Sequence, residues 1–188
     1  MIDGFPLTFF LPLVVHALAG LATGITGVMT FSRPKRSVRH PRWGVRYLWA
    51  YTVVFLTAII LTVQRWEADS YLFFLALTGY GFVLAGYGAR RFRKVPWLMR
   101  VLGKQWMSAH IVSMIGSYVV LWTAFYVDNA HLIPGVKQLP TLTFWVLPTM
   151  IALPFLVVSL SRFAQFPSRT HNKVVPRNEH APEERKNR

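Results

Sequence analysis

Nineteen of the 21 Lys and Arg residues in this chain fall in three blocks, and the blocks alternate with apolar runs long enough to cross a bilayer. Arg33, Lys35, Arg36, Arg39, Arg42 and Arg46 follow the first run, and Arg90, Arg91, Arg93, Lys94, Arg100 and Lys104 follow the third. Seven more lie beyond the fifth, leaving Arg65 and Lys137 on their own. Crossing hydrocarbon takes about 20 apolar residues as a helix, and residues 7–31, 47–64, 71–89, 107–127 and 141–160 meet that need. Open sheet edges cannot survive in lipid, so each run predicts a helix. The expected fold is an all-α integral membrane protein, a five-transmembrane-helix bundle over residues 1–164. The second run is the shortest and extends back over Trp43 if Arg46 snorkels to the headgroups.

The alternation also predicts orientation. Basic loops stay on the cytoplasmic side, which places the N-terminus outside and the C-terminal tail inside. The two remaining loops carry Glu67, Asp69 and Asp128 against one basic residue each. Ala17-Leu18-Ala19 has the small-residue character of a signal-peptidase site. The segment before it, however, holds Asp3 and no Lys or Arg, the wrong polarity for a cleaved leader. The arrangement is that of a multi-pass protein of the bacterial cytoplasmic (inner) membrane. A net charge of +14 would suggest nucleic acid in a soluble protein. Confined to short loops beside apolar spans, it predicts contact with anionic lipid headgroups and no nucleic-acid partner. Residues 165–188 combine Pro167, Pro176 and Pro182 with Arg, Lys, Asn and Glu, a composition expected to be disordered.

Chemistry is scarce. The chain has no Cys, which excludes disulfides, thiolate metal sites and thiol catalysis, and no run contains Asp or Glu. An all-carboxylate metal cage and carboxylate-driven ion pumping are therefore not expected. Ionisable residues inside a membrane are costly and are functional candidates by default. Here they are His16 in the first run and His110 in the fourth, with His40 in the first basic loop able to fold back beside them. At about 1.5 Å rise per residue, His16 lies about 14 Å below the outer face and His110 about 5 Å from the inner one. In a core of about 30 Å the two differ in depth by about 10 Å, so His40 is the better match for His110. These imidazoles predict axial ligation of haem or binding of a divalent metal. Arg46, Tyr47 and Tyr118 would orient the rings or pair with propionates. The plainer role is a hydrogen bond from each ring to Ser, Thr or a backbone carbonyl.

Packing signals leave other classes open. Gly20-x-x-x-Gly24, with Gly27 one turn on, has the small-residue spacing of close helix contacts, and Gly79, Gly81, Gly86 and Gly88 give the third run the same character. Such faces suit a non-catalytic scaffold or assembly subunit, joined to a second copy or to a membrane-complex partner. A small transporter would need a polar midplane path, for which His16 and scattered Ser and Thr are the material. Pro148 and Pro154 are expected to kink the fifth helix.

Three stretches together carry a family resemblance: the glycine-rich His16 helix, His40-Pro41-Arg42-Trp43-Gly44-Val45-Arg46-Tyr47, and His110-Ile111-Val112-Ser113-Met114-Ile115-Gly116-Ser117-Tyr118. In order and spacing the chain resembles, over about residues 7–163, a family of small bacterial multi-pass membrane proteins known as a domain of unknown function (2306-like). Pro41 and Ser113 depart from that pattern, which places a basic residue at the latter position. The resemblance implies the fold and the set of histidines; it implies no reaction.

Overall fold

A computed structural model describes residues 7–32, 38–135 and 138–164. Every regular element among them is helical: α1 (Leu7–Ser32), α2 (Arg39–Gln64), α3 (Trp66–Arg91), a short α4 (Pro96–Leu102), α5 (Trp106–Asn129) and α6 (Thr141–Ala164). Single 3-10 turns at Gly103–Gln105 and Ala130–Leu132 lead into and out of α5. Five of the helices, all but α4, are long and apolar enough to cross a membrane. The tail 165–188, expected to be disordered, lies outside the described residues.

Two helices begin earlier than their apolar runs. α2 starts at Arg39 rather than near Tyr47, because its first turns are polar but still helical. Pro41 falls in the first turn, where the missing N–H has no intrahelical acceptor to lose. α3 starts at Trp66, with Glu67 and Asp69 in its first turn and Arg90 and Arg91 in its last. That polarity complements the helix dipole at both ends. A single residue, Arg65, joins α2 to α3. Its carbonyl accepts from the amides of Ala68 and Asp69, and its guanidinium pairs with Asp69 at 3.5 Å. α6 continues unbroken through Pro148 and Pro154.

The long helices run up and down in succession. One end of the bundle carries Glu67, Asp69 and Asp128, and the other, the basic end, carries His40, residues 90–94 and the close of α6. α1 packs on α2, α2 on α3, α3 on α5 and α5 on α6. The centre is built from Tyr47, Tyr51, Val83 and Met114. Three tyrosine hydroxyls reach acceptors there: Tyr47 to Ser117 Oγ at 2.9 Å, Tyr51 to the Ser117 carbonyl at 3.1 Å, and Tyr118 to the Gly24 carbonyl at 3.2 Å. Ser117 spends its one proton on the Met114 carbonyl, so Tyr47 is the donor to Ser117. Glycine makes room for these rings. A Cβ at Gly27 would strike the Tyr118 ring, and one at Gly79 would overlap the Tyr51 hydroxyl. Gly20 has nothing within 4 Å of where its Cβ would lie, and Gly24 meets Trp122 only at 3.9 Å. The close approaches thus fall at Gly27, Gly79 and Gly86, and the Gly20-Gly24 pair has ordinary spacing.

Candidate functional site

The site begins with two imidazoles anchored in the same way. His40, the second residue of α2, places Nδ1 3.0 Å from the carbonyl of Thr30 in the last turns of α1. His110, one turn into α5, places Nδ1 2.7 Å from the carbonyl of Gly86 on α3. A carbonyl oxygen has no proton to give, so each Nδ1 carries the hydrogen, and in the neutral ring the lone pair is at Nε2. This is the orientation found in histidines that ligate metals, where the second ring nitrogen is held by a carbonyl or carboxylate.

Local sequence explains both anchors. Thr30 donates its own hydroxyl to the Thr26 carbonyl, while its main-chain oxygen, near the end of α1, has run out of intrahelical amides. Gly86 lets α5 come close, since a Cβ there would meet Met114 Sδ at 2.7 Å and Ser113 Cβ at 3.2 Å. The approach brings the His110 ring onto the α3 backbone.

Both rings line one cavity of about 1440 Å³. That exceeds the roughly 300–1,000 Å³ of ordinary small-molecule sites. Its walls are mainly apolar and aromatic, with Phe31, Trp106, Tyr118, Trp122 and Phe155 among them. Arg90, Arg91, Arg93 and Lys94 stand at the basic end of the same space. The Arg93 guanidinium lies 5.0 Å over the Trp106 ring and that of Arg91 5.9 Å over Phe92, contacts that hold cations against aromatic faces.

The remaining candidates are placed differently. His16 does not line the cavity. Its Nδ1 is 2.9 Å from Thr57 Oγ1, and Thr57 directs its own proton to the carbonyls of Val53 and Val54, so His16 is the donor. Twelve residues separate it from Val28, the first α1 residue on the cavity wall, or about 18 Å of helix. Tyr47 is buried behind the wall in its bond to Ser117. Arg46 lies outside the lining, with its guanidinium 4.5 Å over the Trp43 ring. Tyr118 does line the cavity, with its hydroxyl turned to α1. The four cations at residues 90–94 escaped the sequence reading because topology already accounted for their charge. The usable signal was their position: Arg90 stands four residues, one helical turn, after Gly86.

Among the described residues no group of three His, Asp or Glu side chains comes together to hold a metal ion. No protein-family model, no curated protein and no solved structure matches the chain.

Proposed function

We propose that this is a multi-pass protein of the bacterial cytoplasmic membrane, with its basic end inside, that binds a b-type haem through His40 and His110 in a redox or accessory role. The observation that carries the reading is the pair of Nδ1-anchored imidazoles that line one cavity. Haem fits the donor set better than a bare ion. A zinc-like ion draws three or four ligands from protein, whereas a porphyrin supplies four nitrogens and asks the protein for two axial ones. Without Cys the macrocycle has no thioether attachment, hence the b type. Apolar and aromatic walls suit the porphyrin faces, and the cations at residues 90–94 suit its propionates. A bound haem would supply one-electron chemistry, and the chain would set its potential through the two carbonyl-held imidazoles and the apolar walls of the cavity.

The orientation rests on the basic blocks. The test is the full chain purified from haem-sufficient cells, examined by absorption and by haem-to-protein stoichiometry. A Soret band at one haem per chain is expected. A colourless protein that takes up no added hemin would overturn the proposal.

A further inference from the structure

The cavity is larger than the histidine end requires, and its remainder has a distinct shape. On α5 its lining continues from His110 through Met114, Tyr118 and Trp122 to Tyr126. These positions recur at four-residue intervals, so one face of the helix lines the cavity along about 24 Å. Across from it stand Pro148, Ile151, Ala152, Phe155 and Ser159 of α6, at the 3–4-residue spacing of a single helical stripe over about 16 Å. The α6 stripe starts near mid-bundle and ends at the basic end. Its extent matches one leaflet of a core of about 30 Å. α6 leans on α5, and Phe155 remains 67% exposed and Ile151 55%.

Charge indicates what fills the cleft. Arg90, Arg91, Arg93 and Lys94 gather at its basic end. The described carboxylates, Glu67, Asp69 and Asp128, belong to the turns at the opposite end of the bundle. Positive charge at the mouth of an apolar, leaflet-deep cleft calls for a ligand with an anionic head and a hydrocarbon body. Basic pockets between membrane helices take phospholipid heads in this way.

We propose that the α5–α6 cleft is a specific site for one anionic phospholipid, with its phosphate among Arg90, Arg91, Arg93 and Lys94 and one acyl chain laid between Trp122 and Phe155. The lipid closes the face that α6 leaves open, and its phosphate draws on the same four cations as the propionates of a bound haem. The chemistry is charge pairing at the head and area burial along the tail, and no bond is made or broken.

The experiment is native mass spectrometry of delipidated full chain, titrated separately with dioleoyl phosphatidylglycerol and dioleoyl phosphatidylcholine. One phosphatidylglycerol per chain should survive collisional activation that strips phosphatidylcholine, at an apparent affinity at least tenfold higher. Arg93→Gln with Lys94→Gln should erase that preference. Ala152→Phe, which fills the cleft without touching charge, should lower retention of both lipids. Folding of each variant is checked by circular dichroism. Equal retention of the two lipids, or an undiminished preference in the double glutamine variant, would overturn the site.

Discussion

His110 donates a hydrogen bond from Nδ1–H to the main-chain carbonyl of Gly86 at 2.7 Å, tying α5 to α3 at the wall of the cavity. The bond depends on a residue without a side chain, because a Cβ at position 86 would sit 2.7 Å from Met114 Sδ. Gly86→Ala should therefore push α5 away and loosen the ring. Overpacking of this kind costs about 1–3 kcal/mol, to be read as a lower unfolding temperature in detergent. Haem affinity should fall in the same variant. Gly81→Ala, at a position with nothing within 4 Å of the added carbon, is the matched control and should change neither.

Ser117 and Tyr47 form a directional pair: Tyr47 donates and Ser117 accepts. Ser117→Ala strands a buried phenol proton, at a cost of about 1–3 kcal/mol. Tyr47→Phe removes the donor and leaves Ser117 still bonded to Met114, so it should cost less, about 1 kcal/mol. A double-mutant cycle on detergent unfolding checks the pair, and losses that simply add in the double variant would show that the two are not bonded.

His16 should separate from the other two histidines in any assay of binding. His16→Ala removes its bond to Thr57, while Thr57 keeps its contacts to Val53 and Val54. Membrane hydrogen bonds of this type contribute about 0.6 to 1.7 kcal/mol. A modest loss of stability with haem stoichiometry intact is expected. Loss of haem in this variant alone would move the site to α1 and α2.

Reporter fusions after Lys137 and after Arg188 should report opposite sides of the membrane, the first outside and the second inside. Two reporters on one side would remove the five-span topology.

The helices were legible because hydrocarbon imposes a length and a composition that a sequence must display. Their starts were less so. Pro41 and Arg42 lower the hydropathy of a stretch that is nonetheless helical, and Glu67 and Asp69 look like loop residues while stabilising the first turn of α3. Spacing marked Gly20, Gly24, Gly27, Gly79, Gly81, Gly86 and Gly88 alike, and of these the crowding occurs at Gly27, Gly79 and Gly86. Which glycine meets a neighbour depends on the large side chain opposite, and Tyr118, Tyr51 and Met114 come from other helices. Depth arithmetic paired His40 with His110, and both rings line one cavity. The carbonyls that fix their tautomers were invisible, since main-chain acceptors leave no mark in a sequence. The second use of residues 90–94 was hidden by the first, because a block that orients a helix looks the same as one that receives an anion.

Electron paramagnetic resonance of the oxidised, haem-loaded full chain tests the central claim most directly, since it reads the axial ligands themselves. Two imidazoles on ferric iron should give a low-spin spectrum. His40→Ala and His110→Ala should each convert it to high spin or lose the haem, while His16→Ala, and His131→Ala in the turn that follows α5, keep it. A low-spin spectrum that survives both His40→Ala and His110→Ala, or a chain that binds no haem at all, would contradict the account.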